Sequence, residues 1–109
     1  MTDLGKSRGT LLVLLALKAG AKHGYEVASY LQSSSRGVFT VSYGALYPIL
    51  HSLEKEKLVS ARWAPVGNST AKRKKIYTLT AKGKRTLEIE RADHRLQTAA
   101  FARLLATKA

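Results

Sequence analysis

The chain of 109 residues is long enough for one domain with a modest core. Its 19 lysines and arginines exceed its 7 aspartates and glutamates, which gives a formal net charge of +12 at pH 7. Such a charge favours a polyanionic partner, with nucleic acid as the first candidate and an anionic membrane surface as the second. The chain has no cysteine and its 3 histidines are scattered, so the sequence offers no disulfide framework, no metal site and no cofactor motif.

The first predicted helix covers the almost continuously apolar run of residues 10–18. Leucine and alanine favour a helix over a strand in this run, and Ala19-Gly20 supplies a C-terminal stop. Residues 1–9 are polar, and we expect them to be flexible.

The same run also resembles the apolar part of a signal peptide, because Lys6 and Arg8 precede it and Ala19-Gly20-Ala21 resembles a cleavage site. However, Lys18 closes the run at the short end of the usual range, and a small domain needs its apolar surface. We therefore expect a cytoplasmic protein rather than a secreted one. No apolar run approaches the ~20 residues that span a bilayer, so we expect no membrane partner.

A second helix is predicted to open at His23-Gly24-Tyr25-Glu26, where Glu26 in the first turn suits the positive end of the helix dipole. Residues 33–37 end this helix, because clustered serines and a glycine interrupt helices. We interpret His23 as a turn or cap residue rather than as a catalytic group. Residues 38–41 are predicted to form a short β-like connector to the next helix.

The stretch that organises the chain, residues 42–59, is predicted to form the third helix. Ser42 is a good N-cap because its hydroxyl accepts a hydrogen bond from an otherwise unpaired N–H of the first turn. One face of the helix is an apolar stripe made of Leu46, Ile49, Leu50 and Leu53. The opposite face carries Gly44, Tyr47, Pro48, His51 and Lys55. The N-terminal half of this second face has no charge, whereas a solvated helix usually mixes Glu and Lys, so we expect it to meet another molecule.

After Leu58 the pattern changes to one that predicts a β-hairpin. Residues 58–63 alternate in part and are expected to form a strand that Pro65 stops. Residues 66–71 include a turn-forming set, and residues 76–79 are rich in β-formers. The second strand is preceded by four consecutive cations that make the hairpin a basic arm, namely Lys72, Arg73, Lys74 and Lys75.

A last helix is predicted from Thr80, whose hydroxyl suits an N-cap, to about Leu105. One narrow face of this helix carries Ile89, Ala92, Leu96, Ala100 and Leu104. A helix this long projects past a small core, and its stripe needs a partner, most simply the same helix of a second copy. Leu11 and Leu15 of the first helix are predicted to join this dimer contact. The alternative is a last helix that folds back on its own domain.

Several motifs in this order resemble those of the PadR family of bacterial transcriptional regulators, in the compact branch with a single C-terminal helix. The matching residues are His23-Gly24-Tyr25-Glu26, Gly44-Ala45-Leu46-Tyr47-Pro48, His51, Leu53-Glu54, Leu58-Val59, Lys75-Ile76-Tyr77-Thr78-Leu79-Thr80 and Gly83. The resemblance implies a mainly α fold with a small β-hairpin. In detail, it implies a winged helix-turn-helix over residues 10–79 and a C-terminal dimerisation helix over residues 80–109.

The resemblance also implies a sequence-specific DNA-binding regulator, most simply a repressor, that binds a pseudo-palindromic operator as a homodimer. The third helix then enters a major groove with its DNA-facing residues, namely Ser42, Tyr43, Gly44, Ala45, Tyr47, Pro48 and His51. The hairpin becomes a wing that reaches the flanking DNA backbone or minor groove through Lys72, Arg73, Lys74 and Lys75. Tyr43 departs from the family pattern, which usually has a proline after the serine. The last helix of compact members often lines a site for flat hydrophobic ligands, so a small hydrophobic effector is a candidate partner.

Three other classes of protein compete with this interpretation. A non-specific nucleic-acid-binding protein fits the net charge, but it does not explain the weakly charged face of the third helix. A protein–protein adaptor with a degenerate winged helix predicts no tight DNA binding at moderate salt. An enzyme is disfavoured because the sequence has no Gly-rich phosphate loop, no paired carboxylates for acid–base work, no cysteine nucleophile and no metal-ligand spacing.

Overall fold

The computed structural model describes residues 4–67 and 69–107 as four helices and one antiparallel hairpin. In chain order the elements are α1 (Leu4–Lys18), α2 (Gly24–Ser34), α3 (Tyr43–Lys55), β1 (Val59–Val66), β2 (Ser69–Leu79) and α4 (Ala81–Leu105). This architecture confirms the predicted fold class, which is mainly α with a small β-hairpin and a long C-terminal helix.

The hydrophobic core is organised around α1, which contacts α2, α3 and α4. Val13 and Leu14 of this helix are fully buried. The predicted stripe of α3 faces the same core, since Leu46, Leu50 and Leu53 are buried and Ile49 is partly buried. The face of α3 that carries no core residue is thereby turned outward, because the two faces lie on opposite sides of one helix.

Helix α1 begins at Leu4, six residues before the predicted start of the first helix, and the flexibility of residues 1–9 stays a prediction. Residues 1–3 lie outside the described residues. Gly9 lies against α3, because a Cβ placed on it would be 3.2 Å from Cδ1 of Ile49. Packing against α3 therefore stabilises a helical turn that the local polar sequence does not predict.

Leu11 and Leu15, which were predicted to join a dimer contact, both pack inside their own subunit. Leu11 is only 6% exposed, and Leu15 is partly buried against the core. Leu11 has almost no surface left for a second copy. The contribution of these two side chains to a dimer stays a prediction.

The connector between α2 and α3 is not a strand, because the sheet of the described residues contains only β1 and β2. Instead, the Ser35 hydroxyl accepts a hydrogen bond from the backbone N–H of Phe39 at 2.9 Å. Val38 is exposed at the outside of this turn. The β-branched residues that suggested a strand have no neighbouring strand with which to pair, so the segment remains a non-sheet connector.

The hairpin is longer than the sequence predicted. Strand β1 continues through Pro65, which pairs with Arg73, and an irregularity in the register follows between Pro65 and Val66. The predicted stop at Pro65 is therefore wrong. In a two-stranded sheet each strand has one unpaired edge, and a proline is tolerated at an edge because no neighbouring strand needs its missing N–H. As a result, residues 72–75 lie within β2 rather than ahead of it.

Helix α4 begins where the sequence predicted. The Thr80 hydroxyl accepts a hydrogen bond from the Gly83 backbone N–H at 3.0 Å and donates one to the carbonyl oxygen of Lys57 at 2.7 Å. Gly83 and Leu87 are the buried residues of α4. The molecule measures 61 × 28 × 21 Å and has a radius of gyration of 15.9 Å, against about 13 Å for a compact domain of this length. Much of α4 nevertheless lies alongside α1, since Nζ of Lys18 is 3.7 Å from Oε1 of Glu88 and Phe101 lines a groove together with Leu11.

Candidate nucleic-acid interface

The outward face of α3 is exposed along its whole length. The backbone N–H of Ala45 donates to the Ser42 hydroxyl at 3.2 Å, which confirms Ser42 as the N-cap. All seven residues predicted to face DNA in this part of the chain are exposed, namely Ser42, Tyr43, Gly44, Ala45, Tyr47, Pro48 and His51. The N–H groups of the first turn that have no partner within the helix lie at the same end.

Pro48 lies inside α3 without ending it. Proline removes one backbone hydrogen bond and crowds the carbonyl four residues earlier, which here belongs to Gly44. Gly44 has open space around it, since a Cβ placed on it would meet only Oγ of Ser42, at 4.0 Å. The backbone of α3 is therefore little covered by side chains at Gly44, near the N-terminal end of the helix.

An aromatic cleft of about 1010 Å³ lies between the start of α2, the outward face of α3 and the hairpin. Its lining residues, which define the aromatic cleft below, are His23, Gly24, Tyr25, Tyr43, Tyr47, Pro48, His51, Trp63, Arg73, Lys74, Lys75 and Tyr77. The cleft thus brings together seven of the eleven residues that were predicted to contact DNA. Ser42, Gly44, Ala45 and Lys72 do not line it.

Aromatic rings make up much of the cleft wall. The rings of Tyr43 and Tyr47 lie 6.3 Å apart at an interplanar angle of 33°. The Tyr47 ring also lies against the start of α2, because a Cβ placed on Gly24 would be 3.4 Å from the Tyr47 hydroxyl oxygen. The start of α2 therefore borders the Tyr47 ring, and a Cβ at Gly24 would make an ordinary van der Waals contact with it.

The four cations of residues 72–75 do not share one environment. Lys72 and Arg73 are exposed on β2, and Lys74 is partly buried. Lys75 lies deeper, with its Nζ atom 2.9 Å from Oε1 of Glu54 on α3. The hydrogen bond that the Lys75 ammonium donates to Glu54 is the largest of the causes that raise the pKa of Lys75 above its ordinary value. The sequence predicted the same role for all four cations, whereas the structure separates Lys75 from the other three.

The back of the cleft is held by backbone groups from the turn before α2. The backbone N–H of Tyr77 donates to the carbonyl oxygen of Lys22 at 2.7 Å, which fastens β2 to this turn. Burial raises the pKa of the Tyr77 phenol, so this side chain remains neutral at physiological pH.

The Lys22 N–H donates to Oε1 of Glu26 at 3.0 Å and thereby lowers the pKa of Glu26. Nε2 of His23 lies 3.3 Å from the same oxygen, which agrees with a role for His23 as a turn residue.

Sequence reasoning missed Trp63 and Tyr25 as residues of this face. Trp63 is 60% exposed on β1 and Tyr25 is exposed at the start of α2. Two signals were available for Trp63: it is the single tryptophan of the chain, and it occupies an alternating position of a strand. Tyr25 gave no such signal, because it lies within a motif that was assigned to packing.

Two other kinds of site are absent from the described ranges, 4–67 and 69–107. No group of three histidine, cysteine, aspartate or glutamate side chains there has the arrangement of a metal site. None of the helices in these ranges combines the length and the apolar character needed to cross a membrane.

Comparison with known proteins points to one family. The model of the family described as "Transcriptional regulator PadR-like family" matches residues 13–89. The transcriptional regulator YqjI of Escherichia coli (strain K12) is 32% identical over 81 residues, which are 74% of this chain and 36% of that protein. This chain therefore spans about a third of the length of that relative.

Solved structures give the same result for the fold. A PadR family transcription regulator from Clostridium difficile R20291 is 28% identical with a TM-score of 0.73, and the match covers 90% of this chain and 98% of that one. Bacillus subtilis PadR in complex with operator DNA is 29% identical with a TM-score of 0.64, over 72% of this chain and 44% of that one.

Proposed function

This chain belongs to the PadR-like family of transcriptional regulators, and from that premise we propose that it represses transcription by binding a specific DNA duplex as a homodimer. The observation that carries the proposal is the uncharged, exposed tip of α3 beside a cationic hairpin. The operator-bound Bacillus subtilis PadR supports it, because that relative shares the fold over 72% of this chain. The alternative is a nucleic-acid-binding protein without sequence preference, which the net charge alone would also permit.

In this proposal α3 enters the major groove with its N-terminal half. Ser42 and His51 offer donors and acceptors for base edges, and the ring of Tyr47 suits a thymine methyl group. The unpaired N–H groups at the start of α3 suit a phosphate, since a helix N-terminus attracts anions. The absence of acidic side chains from this half of the helix avoids repulsion of the backbone phosphates.

The hairpin, called the wing below, supplies cations to the flanking backbone. Lys72, Arg73 and Lys74 pair with phosphates, which adds affinity and salt dependence but no sequence information. Arg73 is the cation best placed for this role, because it is exposed and lines the aromatic cleft at the same time. Base discrimination is thereby assigned to α3 and general affinity to the wing.

The homodimer is supported by the unpartnered apolar stripe of α4. Ile89, Leu96 and Leu104 are 68%, 72% and 70% exposed, although their side chains are large and apolar. Ala92 and Ala100 lie between them and permit a close approach of two helices. Two subunits related by a two-fold axis would place two copies of α3 on successive turns of the duplex, which suits a pseudo-palindromic operator.

A small hydrophobic effector is a further part of the proposal. A groove of about 400 Å³ runs between α1 and α4, and its apolar lining residues are Leu11, Leu12, Leu15, Phe39 and Phe101. A ligand in this groove would contact both the core helix and the proposed dimerisation helix. Its binding would therefore change the angle between two α3 helices in a dimer, and with it the affinity for DNA.

The proposal is tested by fluorescence anisotropy with the duplex upstream of the protein's own gene, against a scrambled duplex of equal length, at about 150 mM salt. Specific sites typically bind ~10³-fold or more tighter than random DNA. We expect such a difference for this duplex, or for a duplex recovered by genome-wide selection of bound fragments. If selection enriches no sequence, the protein is a non-specific nucleic-acid binder.

A further inference from the structure

One ion pair joins the wing to α3. Nζ of Lys75 on β2 lies 2.9 Å from Oε1 of Glu54 in the last turn of α3, and the two side chains are 29% and 36% exposed. We propose that Glu54 and Lys75 are positioning residues that hold the wing at the angle at which it and α3 engage one duplex, and that Lys75 is not a phosphate contact. This inference rests on the proposed function, since it concerns how the same face binds DNA.

The ammonium group of Lys75 is enclosed on more than one side. Trp63, its cross-strand partner on β1, has its ring centroid 6.0 Å from Nζ. The ring centroid of Tyr77, two residues further along β2, lies 5.7 Å from Nζ. A cation near two aromatic rings and a carboxylate is favourable in this place. Moving the ammonium to a phosphate would give up these contacts and leave Glu54 as an unpaired anion beside the DNA.

The position of Lys75 in its strand explains why it differs from Arg73. Residues 73, 75 and 77 lie on one face of β2, because side chains alternate along a strand. Along this row Tyr77 is buried, Lys75 is intermediate and Arg73 is exposed. The row therefore runs from the core towards the tip of the wing, and the cation nearest the core is the one that pairs with α3.

The partner of Lys75 belongs to the same rigid element as the DNA-facing residues. Glu54 lies one turn after His51, which lies one turn after Tyr47. The ion pair at Glu54 therefore fixes the wing relative to all the DNA-facing residues of α3. Lys75 also lines the aromatic cleft, where the duplex would pass between α3 and the wing.

The proposal and simple electrostatics predict opposite effects of Glu54→Gln on the affinity for DNA. Glu54→Gln removes a negative charge, so Coulomb forces by themselves would tighten binding to every duplex. If Glu54 positions the wing, Glu54→Gln instead weakens binding to the specific duplex about two- to fivefold, the range expected for a partly exposed ion pair. Glu56→Gln is the matched control, because it removes the same charge two residues later from an exposed side chain. We expect Glu56→Gln to bind as tightly as the wild type or more tightly.

A second comparison separates positioning from phosphate contact. Lys75→Gln should weaken binding to the specific duplex while leaving the slope of log K against log salt unchanged, because no phosphate contact is lost. Arg73→Gln should lower that slope by about one unit. Lys75→Arg keeps both the ion pair and the contact with the rings, so it should retain the affinity of the wild type.

A third measurement does not depend on DNA. Trp63 is the single tryptophan, so its fluorescence reports on this contact directly. Acrylamide should quench Trp63 more strongly in Glu54→Gln than in Glu56→Gln or the wild type, because the freed Lys75 no longer covers the ring. Equal quenching in all three proteins, or tighter specific binding by Glu54→Gln, would overturn the proposal. If the wild type prefers no duplex, the proposed function fails, and the quenching alone then decides whether the ion pair holds the wing.

Discussion

Replacing Gly83 by alanine tests how closely α4 is docked against the start of the wing. A Cβ at this position would overlap the carbonyl oxygen of Leu58 and lie 2.9 Å from its carbonyl carbon. It would also lie 3.3 Å from Cδ2 of Leu79. The carbonyl of Leu58 has little freedom to move aside, because it accepts a hydrogen bond from the Thr80 backbone N–H at 3.0 Å.

The expected loss of stability is the sum of one stabilising and two destabilising contributions. Alanine is favoured over glycine inside a helix by about 1 kcal/mol. The overlap costs about 1–3 kcal/mol, as other insertions into close-packed sites do. Displacing the Leu58 carbonyl weakens its hydrogen bond with the Thr80 backbone N–H, at about 1 kcal/mol. We therefore expect Gly83→Ala to lower the free energy of unfolding by about 1–3 kcal/mol.

The measurement is urea denaturation followed by the fluorescence of Trp63. Wild type and variant are compared at one protein concentration, because oligomerisation makes apparent stability depend on concentration. Gly44→Ala is the matched control, since a Cβ there meets only Oγ of Ser42, at 4.0 Å. It should leave stability unchanged or raise it by up to about 1 kcal/mol. The reasoning is refuted if Gly83→Ala is as stable as Gly44→Ala.

Four further predictions concern DNA binding, assembly and pH. Arg73→Ala should weaken binding to all sequences alike and lower the salt slope by about one unit in anisotropy titrations, and an unchanged slope would show that the wing does not touch DNA. Tyr47→Ala should reduce the ratio of the affinity for the specific duplex to that for random DNA. Tyr30→Ala should preserve this ratio, because Tyr30 lies on α2 outside the aromatic cleft. Equal losses of affinity on both duplexes would make Tyr47 a folding residue. Leu96→Glu should shift sedimentation from dimer to monomer while the circular dichroism stays helical, and an unaltered dimer would remove α4 from the interface. The hydrogen bond from the Lys22 N–H lowers the pKa of Glu26 below its ordinary value of 4.5. The ionised Glu26 carboxylate therefore stabilises the fold above pH 4.5, and this stabilisation is lost as the pH falls through the pKa of Glu26 in the folded protein. Glu26→Gln should therefore lose less stability than the wild type between pH 6 and pH 3 in denaturation experiments.

Elements whose signals are local were predicted well. The caps Ser42 and Thr80 each accept a hydrogen bond from a residue three positions later, so a short stretch of sequence contains both partners. The buried stripe of α3 follows from helical periodicity, which also needs only neighbouring residues. The long span of α4 was predictable for the same reason.

Elements that depend on distant partners were predicted less well. The first turns of α1 are stabilised in part by packing of Gly9 against Ile49, which is 40 residues away in the sequence. Pro65 ends a strand only where another strand requires its N–H, and the number of strands is a property of the whole fold. Residues 38–41 have the composition of a strand, but the described part of the chain contains no neighbouring strand that pairs with them.

By itself, the sequence determined the order of the elements, the two helix caps, the outward face of α3 and the excess of positive charge. These properties depend on residue type and on contacts within a few positions along the chain. Only the tertiary structure decided that Trp63 and Tyr25 share a cleft with α3, and that Lys75 pairs with Glu54 while Arg73 remains exposed. Lys75 and Glu54 are 21 residues apart, and they meet only because the wing folds back across the end of α3.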